Sequence, residues 1–82
     1  MRRSFFHFEN CDRRLEDLIG TDLVNDQAAK TQALKLAADV AVEDAIRGDP
    51  PRFAWLEVVD EYNRPVARLP VADAIREPNR IA

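Results

Sequence analysis

Cysteine and glycine are both scarce in this sequence, which has one cysteine and two glycines in 82 residues. The single cysteine, Cys11, excludes an intrachain disulfide and a zinc site made of cysteines alone, and it favours a reducing, cytoplasmic setting. Two glycines are too few for a glycine-rich phosphate-binding loop. Long apolar runs are also missing. In the N-terminal segment, the apolar stretch after the first arginines is only Phe5 and Phe6 before His7. We therefore expect no signal-peptide core and no membrane partner.

Basic charge is in short supply as well. The formal net charge is −3 and the isoelectric point is about 5.0. Binding to phosphate backbones requires a basic face, so we expect no nucleic-acid partner. Hydrophobic residues make up 46% and charged residues 33% of the chain, which is typical of a folded protein. Residues 1–82 therefore form a single small domain, whose limited core makes dimerisation a natural source of stability.

The clearest element is a long helix over residues 27–47, a run without proline or glycine that is rich in alanine. Asn25 or Asp26 can cap its first turn, because a short side-chain oxygen accepts from a free backbone N–H there. Gly48 and the prolines after it end the helix. The residues predicted on or beside its buried stripe are Ala29, Ala33, Leu36, Val40 and Arg47, with Leu34, Ala37, Ala41 and Ala45 alongside. Lys30, Lys35, Asp39 and Glu43 are predicted on the opposite side.

Four segments have the composition of strands: residues 4–9, 13–19, 53–60 and 64–69. Alternation is imperfect in the second of them. Asn63 suits a turn with positive φ between the last two strands. Pro65 donates no ladder hydrogen bond, so the fourth strand is predicted at a sheet edge. A short helical turn over residues 71–76 and a frayed tail over residues 78–82 complete the chain.

The order β-β-α-β-β predicts an α+β fold, with a mostly antiparallel four-stranded sheet and the long helix across one face. Side chains alternate between the faces of a strand. Phe6 and Phe8 therefore point one way and Phe5 and His7 the other, while Phe53, Trp55, Glu57 and Val59 share one face of the third strand. We expect Phe5, His7, Trp55 and Val59 to lie on an uncovered sheet face. Such a patch predicts a protein-interaction site, occupied by a second copy or by another protein.

Two groups of residues raise the question of chemistry. His7 and Cys11 could form a thiol–imidazole pair, but nothing in the sequence orients the imidazole and Cys11 falls in a polar turn. The acidic residues of the first hairpin are Glu9, Asp12, Glu16, Asp17 and Asp22. Their spacing matches no calcium loop, so a ligand or metal site there is the weaker alternative. We therefore predict a non-catalytic protein-interaction or regulatory domain that forms a homodimer, with no catalytic residues, no metal and no cofactor.

Several short motifs give the chain a family resemblance. They are Ser4-Phe5-Phe6-His7-Phe8, Glu16-Asp17, Gly20-Thr21-Asp22-Leu23, Ala28-Ala29, Ala33-Leu34, Glu57-Val58, Asp60-Glu61, Arg64-Pro65-Val66 and Leu69-Pro70. In this order and spacing, which covers nearly the whole chain, they resemble a family of small bacterial domains of unknown function. The resemblance implies the fold and carries no activity with it.

A fainter likeness is to HicB-type antitoxins, which also place a strand pair, a glycine-containing loop and an alanine-rich helix in succession. Here the loop is residues 17–22 and the helix begins near Gln27. This chain differs in its second hairpin and in lacking a C-terminal DNA-binding segment. The likeness implies an antitoxin-type, partner-binding protein as the alternative function.

Overall fold

A computed structural model describes residues 2–75. Its elements are β1 (Arg2–Glu9), β2 (Arg14–Leu15), β3 (Thr21–Leu23), α1 (Asp26–Arg47), β4 (Trp55–Asp60), β5 (Pro65–Pro70) and a 3₁₀ helix (Val71–Ile75). The predicted α+β class is confirmed, with one long helix on an antiparallel sheet and a helical turn at residues 71–75. The predicted tail at 78–82, and Arg76 at the end of the predicted turn, lie outside the described residues.

The strands are ordered β2-β1-β4-β5, and β3 also pairs with β1. Every pairing is antiparallel. The predicted edge position of the strand with Pro65 is confirmed, because β5 ends the sheet. The prediction of one strand over residues 13–19 is wrong. β2 pairs with one end of β1 (Phe8 opposite Leu15) and β3 with the other end (Ser4 opposite Thr21), and residues 16–20 leave the sheet between them.

Both predicted ends of the helix are confirmed. The Asn25 side chain accepts a 2.9 Å hydrogen bond from the backbone N–H of Ala28. Gly48 has φ 73°, in the left-handed region that favours glycine, and its N–H donates to the carbonyl of Ala45 at 3.1 Å. A helix of 22 residues is about 33 Å long, and α1 contacts β1, β3, β4 and β5.

The core lies between α1 and the near face of the sheet, which we define as the face turned toward the helix. Its buried residues are Phe6, Ala29, Ala33, Ala37, Phe53, Leu56, Val58, Val71 and Ala74. Three alanines spaced four apart let the helix approach the sheet closely. Phe53, predicted on the opposite face, instead lies before β4 and packs on Phe8 with ring centroids 5.4 Å apart. Arg47, predicted on the buried stripe, and Ala45, predicted beside it, are both exposed.

A buried carboxylate fixes the connection from α1 to β4. Asp44 accepts from the backbone N–H of Arg52 at 3.1 Å and from its Nε at 2.6 Å. These bonds, led by the backbone N–H, lower the pKa of Asp44 despite burial, which raises it. The residue is therefore held as an anion that ties the helix end to the following chain.

A second such carboxylate, Asp60, holds the turn after β4. Its side chain accepts from the backbone N–H groups of Tyr62 and Arg64 and from Arg64 Nε, each at 2.9 Å. The bond from the Arg64 backbone is the largest of several that together lower the pKa of Asp60 against the opposing effect of burial. Asn63 adopts φ 61° in this turn, as predicted.

Candidate interaction surfaces

The loop formed by residues 16–20 folds over the far face of the sheet, the face turned away from α1. Asp17 fixes it in place. One carboxylate oxygen accepts from the backbone N–H of Phe6 at 3.2 Å, and the other accepts from Ile19 at 3.1 Å and Gly20 at 3.0 Å. Because β2 and β3 leave the middle of β1 unpaired, the Asp17 side chain supplies the acceptor that a continuous strand would have provided.

His7 lies beneath this loop and is only 6% exposed. Its Nδ1 accepts a 3.1 Å hydrogen bond from the backbone N–H of Asp17. The contact joins the buried ring directly to the backbone of the loop. Burial raises the pKa of Asp17, but its three backbone donors outweigh burial, so that the pKa of Asp17 is lowered overall.

The far face differs from the exposed protein-interaction patch predicted for it. His7 and Val59 are each 6% exposed, so the expectation that both lie in solvent is wrong. For His7 the reason is the loop, which the sequence pattern had placed within a strand. Phe5 and Trp55 are half-buried. An interaction role for these four residues stays a prediction, but only the two aromatic side chains reach solvent.

Charged side chains cover the rest of the far face. Arg14 pairs with Glu9 at 3.0 Å and with Glu57 at 3.3 Å, which links β2, β1 and β4. Arg68 of β5 lies 4.1 Å from the ring centroid of Trp55, over its face. The far face is therefore a set of paired charges, and such exposed pairs contribute little to binding on their own.

Exposed aliphatic side chains lie at the tip of the loop instead. Leu18 is 83% exposed and Ile19 is 77% exposed. The loop is held from below as well as from within, because Arg3 Nη1 donates to the Ile19 carbonyl at 2.8 Å. Two large aliphatic side chains are thus exposed to solvent on a loop whose backbone is fixed by hydrogen bonds.

A second apolar surface lies along the helix. We define the outer face of α1 as Thr31, Leu34, Ala38, Val42, Ala45 and Ile46, which lie along one side of the helix. Leu34 and Ala38 are half-buried at its margin and also pack against the core, as predicted for Leu34. Val42 is 45% exposed and Ile46 is 80% exposed. A shallow groove of about 350 Å³ runs along this face between Thr31 and Asp39. Apolar residues on two sides of a helix are typical of a helix that is buried on two sides. In the described chain the sheet covers only one side of α1.

The residues considered for chemistry are not brought together. Cys11 is exposed in its turn, whereas His7 is buried and its Nδ1 is occupied by the Asp17 N–H. Of the acidic residues, Asp22 pairs with Arg3 at 3.1 Å and Asp17 binds backbone donors. Within residues 2–75, no group of three or more His, Cys, Asp or Glu side chains is placed to hold a metal ion.

Sequence reasoning missed the outer face of α1 and the loop tip. The signal for the first was present, because Ala38, Val42 and Ile46 recur at a spacing of four. The signal for the second was the pair Leu18-Ile19 before Gly20, which reads equally well as the end of a strand. Along the described part of the chain, no helix combines the length and apolar content needed to cross a membrane.

The fold defines a small two-layer α+β domain, about 16 Å thick and 37 × 35 Å across. Its sequence places it in a family. Residues 3–72 match the domain of unknown function DUF6894, and the chain belongs to that family. Comparisons with curated proteins and with solved structures find no significant match in either set. The likeness to HicB-type antitoxins is not shown by any of these comparisons and stays a prediction.

Proposed function

We propose that this domain is a non-catalytic protein-interaction domain that works as a homodimer. The observation that carries the proposal is where its exposed aliphatic side chains lie. Leu18 and Ile19 occupy the loop tip, and Val42 and Ile46 occupy the outer face of α1. Grouped, exposed apolar side chains with polar neighbours are typical of protein interfaces.

The titratable side chains of the described chain support the same conclusion. His7, Asp17, Asp44 and Asp60 are the groups with the most unusual surroundings, and each is engaged by backbone N–H donors. A catalytic acid or base needs a free position facing substrate. These four groups instead hold a loop, a helix end and a turn.

The way the loop is held also favours binding. Five hydrogen bonds fix residues 17–20, four of them through Asp17 and one from Arg3. Ordering flexible side chains and loops on association costs about 0.5–1.5 kcal/mol for each immobilised group. The backbone of this loop is already held, so binding avoids the cost of ordering the loop itself, while the exposed side chains of Leu18 and Ile19 still lose freedom on contact.

Photo-crosslinking in cells of the source organism tests the proposal. A photoreactive phenylalanine analogue replaces Leu18 or Val42 in the full chain, and Glu61, an exposed turn residue, serves as the control site. We expect covalent products at positions 18 and 42, including one of twice the chain mass. Crosslinking at these two sites that is no more efficient than at position 61 would contradict an interaction role.

A further inference from the structure

We propose that two copies of this chain pair through the outer face of α1, with the two helices antiparallel about a twofold axis level with Ala37. This inference rests on the proposed function and names its partner and its surface. The occupant is a second copy because this face carries a positive and a negative side chain that can pair with the same two side chains on another copy.

Lys35 and Asp39 lie along one margin of the outer face, one helical turn apart. Both are exposed, and neither forms an ion pair with another described residue. A twofold axis between them brings Lys35 of each copy level with Asp39 of the partner subunit. The same margin faces itself across such an axis, so the contact forms twice. In a parallel pairing this margin would face the opposite margin of the partner helix, so Lys35 and Asp39 would not meet across the interface.

The apolar residues of the face fit the same arrangement. With the axis level with Ala37, Val42 of one copy lies level with the groove near Thr31 and Leu34 of the other. Ile46, which is almost fully exposed, lies level with Ala28 of the partner subunit. Alanine at positions 38 and 45 allows the two helix axes to approach to about 8 Å. Large side chains thus face depressions or small residues.

The size of the contact sets its strength. A helix of 22 residues offers a strip about 33 Å long. Specific interfaces bury about 1,200–2,000 Å² in total, and one helix pair falls at the lower end of that range. We therefore expect a dissociation constant in the micromolar range, about 1–100 μM.

Sedimentation equilibrium of the full chain with a charge-exchange set tests the arrangement. Lys35→Asp and Asp39→Lys each place like charges opposite one another twice, and each should weaken the dimer about tenfold. The double variant restores opposite charges and should return the dissociation constant to within about threefold of the starting protein. Lys30→Asp makes the same charge change beside the 3₁₀ helix and should leave dimerisation within about threefold. Circular dichroism confirms that every variant keeps its helix.

The outcomes separate this inference from the proposed function. Single variants that dimerise like the starting protein, or a double variant weaker than both singles, overturn the antiparallel arrangement. If dimerisation resists the charge changes but is lost in Leu18→Asp, the interface is the loop tip: the interaction function stands and this inference fails. A starting protein that stays at 9.3 kDa up to about 1 mM overturns the homodimer itself, and this inference with it.

Discussion

The backbone N–H of Asp17 lies 3.1 Å from Nδ1 of the buried His7, and this contact joins the loop to the strand beneath it. The Asp17 carboxylate completes the attachment by accepting from three further backbone N–H groups. One residue thus holds the loop both as a donor and as an acceptor. The aliphatic side chains at the loop tip depend on it for their position.

Removal of the Asp17 side chain tests how much this attachment contributes. Asp17→Ala leaves three backbone donors without their acceptor, so we expect a loss of about 1–3 kcal/mol in the free energy of unfolding, measured with urea. The amides of Phe6, Ile19 and Gly20 should exchange faster with solvent. Asp12→Ala, which removes the same charge from an exposed turn residue, should change stability by less than about 0.5 kcal/mol. Equal effects from the two substitutions would show that the Asp17 side chain does not stabilise the loop.

Acid should destabilise the domain through its bound carboxylates. The pKa values of Asp17, Asp44 and Asp60 are lowered in the folded chain, so the unfolded chain binds protons more readily than the folded one. Their contribution to stability is fully present above the ordinary aspartate pKa and is lost as pH falls through the lowered values. Urea unfolding at a series of pH values should show stability falling below about pH 4.

Asp17→Asn should make this acid dependence shallower, since asparagine does not titrate. The same substitution lowers stability at neutral pH, where the carboxylate is the stronger acceptor. A variant whose stability falls as steeply with acid as that of the starting protein would exclude Asp17 as a contributor.

The two glycines form a matched pair that isolates packing under the loop. Both have positive φ, 79° at Gly20 and 73° at Gly48, so alanine at either should cost about 1–2 kcal/mol in backbone strain. A Cβ at Gly20 would also lie 2.8 Å from Arg3 Cγ and 2.9 Å from Phe5 Cε2, whereas one at Gly48 meets nothing within 4 Å. Gly20→Ala should therefore cost at least about 1 kcal/mol more than Gly48→Ala by urea unfolding. Equal costs would mean that the loop moves freely over Phe5.

The alanines of α1 give another matched comparison. Ala33 is 0% exposed against the sheet, and Ala45 is exposed on the outer face. Ala33→Leu overfills the contact and should cost about 1–3 kcal/mol, measured by thermal or urea unfolding at low protein concentration. Ala45→Leu should change the stability of the single chain by less than about 0.5 kcal/mol. Similar values for both would mean that helix and sheet are loosely packed.

The sequence was most informative about elements with local signals. Asn25 and Gly48 mark the ends of α1 because capping depends on the residue at the cap itself, and Pro65 marks an edge strand for an equally local reason. The succession of strands and helix along the chain was predictable from composition, apart from the second predicted strand, which is two short strands; the order of the strands within the sheet was not predicted.

The rest depended on contacts between residues distant in sequence. Nothing near Asp17 indicates that it substitutes for a strand partner of Phe6, eleven positions away. The burial of His7 depends on the loop that Asp17 holds, so alternation along the strand alone could not predict that His7 is shielded from solvent. Asp44 was missed for the same reason, since its partner Arg52 lies beyond the end of the helix.

Light scattering on the purified full chain across a range of concentrations tests the central claim most directly. If the outer face of α1 binds a second copy, the measured mass should rise from 9.3 kDa in dilute solution to twice that value as the protein concentration increases. Val42→Asp should hold the mass near 9.3 kDa at the same concentrations. A starting protein that scatters as a single chain throughout would contradict the account.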